Sequence, residues 1–381
     1  MSQQPVTDAA RMVAQPVVDG RQWLDQTALR DRARATLASG LTRELWKYTP
    51  IKGFIEAVAQ ADSAARIGLQ GIDQPEVRAT PLASLTAEQQ QRVRQISAEH
   101  LNHERHPLAD LTLLGASDGW LLEVAGRPEA PIEIDHPGTG LVPVFLLLDA
   151  NAEVTVIERL HAHGFLAQVL HAELGTGARL HHHRGALERD VAHYSLLSVR
   201  LQRDASLQLN QTMLGGKRRR AEVHVVMAAE GAEVNMAGAY LVEQGQHLDQ
   251  QLVVEHRAGR TTSRQKFHGI GAGKGRSVLN GRIHIHPGAP GSDAALSNRN
   301  LALHPDAEMN TKPELEIYTD DVRCAHGATV GQLQLDSLFY LTARGIPEPA
   351  ARRLLAHGFL RECLHGPLAA AGTSRLLEAL P

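Results

Sequence analysis

The residues Asn151–Leu209, NAEVTVIERLHAHGFLAQVLHAELGTGARLHHHRGALERDVAHYSLLSVRLQRDASLQL, hold three copies of one short pattern. A small or polar residue, an alanine, any residue and an apolar residue recur as Asn151-Ala152-Glu153-Val154, Gly177-Ala178-Arg179-Leu180 and Asp204-Ala205-Ser206-Leu207. Gly231-Ala232-Glu233-Val234 and Asp306-Ala307-Glu308-Met309 continue it. The alanines are 26, 27 and 27 residues apart, and then 75, close to three further periods. Each copy opens a short alternating segment such as Val154-Thr155-Val156. A turn followed by a strand at this period is the pattern of a β-solenoid. Helices long enough for βα crossovers are missing between the copies, which argues against an α/β sheet or a TIM barrel. A β-sandwich is the alternative. At about 4.8 Å per rung, eight or nine coils would make a body roughly 40 Å long.

The flanks read differently. Thr86-Ala87-Glu88-Gln89 is a capping box opening a helix through Val93, Ile96 and Leu101. An earlier helix is expected over Gln22 to Ala38, stopped by Gly40. Beyond the solenoid, Asp336 can cap a helix ending at Arg344-Gly345. A second starts near Pro347–Pro349 and runs to Gly366-Pro367. That hairpin is too small for a core of its own, so it lies on the solenoid end or offers an apolar face to another protein. The reading is mainly β, a parallel β-helix over 106–330 between helical regions at 1–105 and 331–381.

Composition narrows the function. A net charge of −3 over 381 residues excludes a general nucleic-acid binder. Three Trp, five Tyr and six Phe are too few for a base-stacking surface. No apolar run is long enough to span a membrane, and the first residues lack the basic flank and apolar core of a signal peptide. Cys324 and Cys363, the two cysteines, cannot form a disulfide framework, so a reducing cytoplasm is expected.

Four features invite chemistry. GIGAGKGRS, Gly269–Ser277, resembles a phosphate loop, but His268 and Gly275 stand where glycine and a hydroxyl residue are needed, and a strand follows. It reads as a solenoid turn, and no ATP is expected on this chain. Lys217-Arg218-Arg219-Arg220 reads as a solvated loop, with an anionic partner as the alternative. The 21 histidines include His161 with His163, His181–His183 and His284 with His286. On a strand, i and i+2 imidazoles share a face about 6.6 Å apart, which allows a metal. Solvent-facing polar positions explain them more simply.

The fourth feature is YTDDVRCAHGATVGQLQ, Tyr318–Gln334. Cys324 and His326 face one way on an extended strand and could give one thiolate and one imidazole to zinc or iron. Two ligands do not close a site, and Cys363 is the only other sulfur, so a sulfur-rich cluster would need a second chain. A nucleophile and base, oriented by Asp320 or Asp321, is the catalytic alternative. A filled turn is the plainest.

Residues 310–345, NTKPELEIYTDDVRCAHGATVGQLQLDSLFYLTARG, closely resemble the SufB/SufD family of iron–sulfur cluster assembly proteins. Asp320-Asp321-Val322, Cys324-x-His326-Gly327-Ala328-Thr329 and Phe339-Tyr340-Leu341-x-x-Arg344-Gly345-Ile346 carry the likeness. Glu44-Leu45-Trp46-Lys47-Tyr48-Thr49-Pro50 is similar to the family's N-terminal signature, and Asp118-Gly119 with Pro131-Ile132 to the start of its solenoid. Chain length, two cysteines and His326-Gly327, where SufB has His-Glu, side with the SufD branch. The resemblance implies a right-handed parallel β-helix that pairs with SufB, helical termini that dock the ATPase SufC, and a non-catalytic scaffold role. It implies His326 as an iron or nascent-cluster ligand shared with SufB, and Cys324 beside it. Leu338, Phe339, Leu354, Leu355 and Phe359 are then the candidate SufC contacts. It implies reduced flavin in the full complex, with no residue here assigned to it, and allows a homodimer of the isolated chain. The competing function is a stand-alone β-helix hydrolase using Cys324, or carboxylates such as Glu316, Asp320 and Asp321.

Overall fold

A computed structural model describes residues 23–39, 45–61, 67–99, 105–117, 119–136, 138–161 and 164–380, without the side chains of 36–39. Gln22, Gly40, Glu44, Leu101, Asp118 and His163 lie outside the described residues.

From Trp120–Val124 onward, successive strands alternate between two sheets, and each pairs in parallel with the strand two places before it. Two strands therefore make one coil of a parallel β-helix. One nine-stranded sheet ends in Ser292–Ala302 and Val322–Gly331, the other in Arg276–Ile285 and Glu308–Ile317. At the opposite end, Gly68–Gln70 and Val77–Pro81 each add an antiparallel strand.

The recurring alanines are turn residues. In Asp149–Ala152, Gly175–Ala178 and Gln202–Ala205, the alanine N–H donates to the carbonyl three residues back, at 3.0–3.1 Å. The residue before it takes a left-handed backbone: Asn151 (φ 61°), Gly177 (69°), Asp204 (56°) and Gly231 (76°). Asn, Asp and Gly tolerate that conformation best, which explains the small or polar position. Ala152, Ala178, Ala205 and Ala232 are fully buried, because only a methyl fits under a turn stacked on the next coil.

The fifth copy does not continue this series. Glu308–Ile317, after Ala307, belongs to the other sheet, and Asp306 is not left-handed. The gap of 75 residues thus spans two and a half coils, because later coils are longer: Glu233, Thr262 and Asp293 are paired in register and lie 29 and 31 residues apart.

The second strand of the earlier coils escapes the pattern because its outer face is also covered. In Gly140–Leu148 all nine residues are buried. Val142, Val144, Leu146 and Leu148 point into the solenoid core, whereas Leu141, Phe145 and Leu147 pack outward against the N-terminal helices. Those helices are Gln26–Ser39, Lys52–Gln60, Ala87–Glu99 and Pro107–Gly115. The first is capped by Asp25, whose Oδ1 accepts from Ala28 N–H at 3.0 Å. The capping box is present: Thr86 N–H donates to Gln89 Oε1 (3.0 Å), and Gln89 N–H donates to Thr86 Oγ1 (3.3 Å).

The basic run is not a solvated loop. Arg218–Met227 is a strand, and Arg219 and Arg220 are at most 1% exposed. Arg219 donates to the carbonyls of Ala186, Leu214 and Glu188. Arg220 donates to Glu222 (2.5 Å), Asp249 (2.6 Å) and the Leu45 carbonyl (3.1 Å), beneath the Trp46 ring at 3.8 Å. Thr49 Oγ1 donates to Asp249 (2.5 Å) and accepts from His247 Nε2 (2.7 Å). His106 and Tyr194 also donate to Glu222, at 2.6 and 3.0 Å. The run and the Leu45–Pro50 stretch are two halves of one clamp.

The histidines are likewise mostly structural. His136, His182 and Arg184 surround the fully buried Glu158 at 2.6–3.1 Å, with Gln168 completing its shell. His181 stays partly exposed, beside Gln208. The rings of His284 and His286 stack at 3.9 Å, and His286 donates to Glu255. His106, His136, His171, His182, His183, His193, His224, His256 and His268 are all buried, not facing solvent.

These groups make stability depend on pH. Burial alone would raise the carboxyl of Glu222, but Arg220 and His106 override it and hold it at about 2. Burial lowers His183 and His256 to about 4. A lowered histidine stabilises the fold above its unfolded value near 6.5 and loses that contribution as pH falls toward 4. A lowered carboxylate loses its contribution as pH falls from about 4.5 toward 2. Denaturation midpoints are thus expected to fall on acidification in two stages, one starting below about pH 6.5 and one below about 4.5. A flat profile from pH 7 to 4 would contradict this assignment.

Three C-terminal helices follow the solenoid: Leu335–Thr342, Glu348–Arg361 and Ala369–Glu378. The third was not expected from the sequence. Gln334, not Asp336, occupies the N-cap of the first, and Asp336 sits in its first turn. Gly345, with φ 82°, ends that unit. The helices do not close the solenoid end. Ala356, Leu360, Cys363, Leu364 and Leu376 pack sideways on Leu214, Ala239, Leu241 and Ile270, in the middle of one sheet. His268 completes the seam, stacking on Phe359 at 4.4 Å and donating to its carbonyl at 2.6 Å.

Candidate functional site

Since the helices dock on the side, no described residue covers the last coil. Glu308–Ile317 and Val322–Gly331 are each paired along one edge only. Among the described residues nothing pairs with the other edge, and unpaired edges invite another strand. Ile283, Ile285, Ala294 and Leu296 form a small apolar cluster just behind this coil.

Val322–Gly331 carries the Cys-x-His pair. Cys324 stands opposite Ala294 and His326 opposite Leu296. Both therefore sit at inward-facing positions of the strand, where the end of the solenoid leaves His326 exposed. Cys324 packs against the apolar cluster, and this burial raises its thiol. A raised thiol is the opposite of what a nucleophile needs. Cys363 is buried at the helix seam, its Sγ directed at the Lys266 carbonyl, and burial pushes it up to about 11.

The candidate carboxylates do not converge on Cys324. Glu316 accepts from both Nε and Nη2 of Arg282, while Asp320 and Asp321 are exposed. Among the described residues, no three His, Cys, Asp or Glu side chains are arranged to hold a metal ion. Cys324 and His326 offer two donors at a chain edge.

Large apolar side chains are exposed in this part of the chain. Ile317, Tyr318, Val330, Leu335, Phe339, Tyr340 and Leu354 are the exposed large hydrophobics among the described residues. All fall between residues 317 and 354, a segment whose exposed apolar side chains suit contact with another protein. Of the five candidate contact residues, Phe339 (73% exposed) and Leu354 (52%) lie open. Leu338 is buried, Leu355 is half-buried, and Phe359 belongs to the helix seam. Leu335 and Tyr340, outside those five, are exposed as well.

The family model for the SUF system FeS cluster assembly SufBD core domain matches residues 138–359, more than half of the chain. The chain belongs to the SufBD family. Its similarity to the iron–sulfur cluster assembly protein SufD of Escherichia coli is 29% identity over 84% of this chain and 83% of that one. A SufBD family iron–sulfur cluster assembly protein of Mycobacterium leprae is 30% identical over 66% of this chain and 60% of its own. The chloroplastic protein ABCI7 of Arabidopsis thaliana is 31% identical over 64% and 51%. The SufBD core match covers the coils that carry both the buried polar networks and the Cys-x-His strand. It stops inside Glu348–Arg361, so the third helix lies beyond it. No helix among the described residues is long and apolar enough to cross a membrane.

Proposed function

We propose that this SufBD family chain is a non-catalytic scaffold subunit of the SufD type, working in the cytoplasm. A SufB chain pairs with its last coil, and a nascent iron–sulfur cluster forms at the junction. The observation that carries this reading is the exposed His326, beside Cys324, on a strand with a bare edge. Backbone pairing from a second β-helix would satisfy that edge and cover the apolar cluster behind it. His326 then gives a neutral imidazole to iron, with the missing thiolate ligands coming from the partner. Cys324 is the weaker donor, because its raised thiol must lose a proton before binding metal.

SufC is assigned to the exposed Leu335, Phe339, Tyr340 and Leu354, and its ATP use drives assembly. Without SufB, a second copy of this chain is the competing occupant of the edge. The raised Cys324 thiol and the engaged Glu316 both disfavour a hydrolase. Co-expression with SufB and SufC, purification of the complex and anaerobic reconstitution with iron and sulfide test the assignment. A stable complex whose visible absorption band develops only with this chain present is expected. Robust hydrolase turnover by the isolated chain would overturn it.

A further inference from the structure

The interior behind the last coil is divided. One half is the apolar cluster of Ile283, Ile285, Ala294 and Leu296, which also packs against Leu315, Val322 and Cys324. The other half is polar. Asn298 and Asn300, on the strand Ser292–Ala302, are buried at 1% and 3% exposure. The buried Tyr240 hydroxyl donates to Asn300 Oδ1 at 2.6 Å and lies 3.2 Å from Asn298 Oδ1. Burial raises this phenol, so it stays a neutral donor. Each asparagine then offers its amide NH₂ to one strand of the last coil. Asn300 Nδ2 donates to the Thr329 carbonyl at 3.2 Å, and Asn298 Nδ2 to Thr311 Oγ1 at 2.9 Å.

Tyr240 reaches the asparagines because the rung between them carries no side chain. It sits on Glu233–Val242, and the pairing register stacks Tyr240, Gly269, Asn300 and Val330 in one column. Gly269 opens the GIGAGKGRS stretch but lies within the strand Thr262–Gly271, without a left-handed backbone. A methyl there would lie 2.3 Å from the Tyr240 ring and 2.5 Å from Asn300 Oδ1. Close approach, not backbone conformation, therefore calls for glycine at this position. The apolar half holds the last coil without direction, because burial of apolar surface is non-directional. Hydrogen bonds are directional, and a one-residue slip of either strand would break this set.

We infer that Tyr240, with Asn298 and Asn300, is a positioning unit that fixes the last coil, and with it the His326 strand, for its partner. Thr311 lies on Glu308–Ile317 and Thr329 on Val322–Gly331, so one hydroxyl secures both strands of that coil. Thr329 shares its strand with His326. Among the described residues no further coil holds these strands from the other side, so the unit acts from within. An edge already fixed at both strands loses less conformational freedom when a partner docks. The inference rests on the reading of the last coil as the SufB contact, although the bonds from Tyr240 stand without it.

Tyr240→Phe removes the hydroxyl and leaves the ring beside Gly269, so the chain should fold. Hydrogen exchange of the full chain is expected to run about tenfold faster over 308–317 and 322–331, the effect of one lost buried hydrogen bond, with 206–227 unchanged. Titration with SufB should show about tenfold weaker binding. Saturating SufB should restore the wild-type cluster yield, which a lost iron ligand would not allow. Gly269→Ala, which displaces the phenol, should move exchange and affinity in the same direction. Exchange unchanged over the last coil, or quickened equally along the whole solenoid, would overturn the inference. Faster exchange confined to the last coil, with wild-type SufB affinity, would overturn the placing of SufB there and the positioning role with it.

Discussion

Arg220→Ala is expected to destabilise the protein by about 3–5 kcal/mol, the usual cost of removing one partner from a buried ion pair. Glu222 and Asp249, at most 1% exposed, would keep their charges without the guanidinium that bridges them. The same change removes the cation beneath Trp46 and the donor to the Leu45 carbonyl. The N-terminal helices should therefore become the part most open to proteolysis. Arg220→Lys retains the charge but not the forked reach to two carboxylates, and should fall between alanine and the wild type. Urea denaturation with limited proteolysis reads both effects. A loss below about 1 kcal/mol, the range of an exposed pair, would mean that Glu222 and Asp249 have other compensation.

The second large effect concerns binding. Leu335→Glu with Phe339→Glu is expected to weaken SufC binding at least about a hundredfold, because exposed aromatic and aliphatic anchors dominate such contacts. Leu335 is 76% and Phe339 73% exposed, so stability should be unaffected. Deleting the whole helical region would be a poorer test, since Ala356, Leu360 and Leu376 pack on the solenoid. Titration of the purified double variant with SufC is the measurement. Unchanged affinity would place the SufC contact elsewhere.

The parts of this architecture written in local sequence were readable. The turn alanines are legible because a left-handed residue before a buried methyl restricts residue choice, and the Thr86–Gln89 capping box is legible because it spans four residues. The strands opposite them were not. Gly140–Leu148 is apolar on both faces and carries no period to separate it from a buried helix. The clamp was invisible for another reason: Thr49 and Asp249 are 200 residues apart, and His106 and Glu222 are 116 apart. Charged side chains default to the surface until a distant partner is known, which misplaced both Arg219-Arg220 and most of the histidines. The Cys324–His326 strand was legible as half a site. Its position at an uncovered edge came only with the fold, as did the sideways docking of the helices that leaves it uncovered.

His326→Ala, assayed in the reconstituted SufB–SufC complex, tests the central claim most directly. Because His326 is exposed and has no structural partner among the observed hydrogen bonds, the variant should fold and assemble like the wild type. Anaerobic reconstitution followed by visible absorption should then show cluster formation strongly reduced, with Cys324→Ser affected less. Wild-type cluster yield from an intact His326→Ala complex would contradict the account.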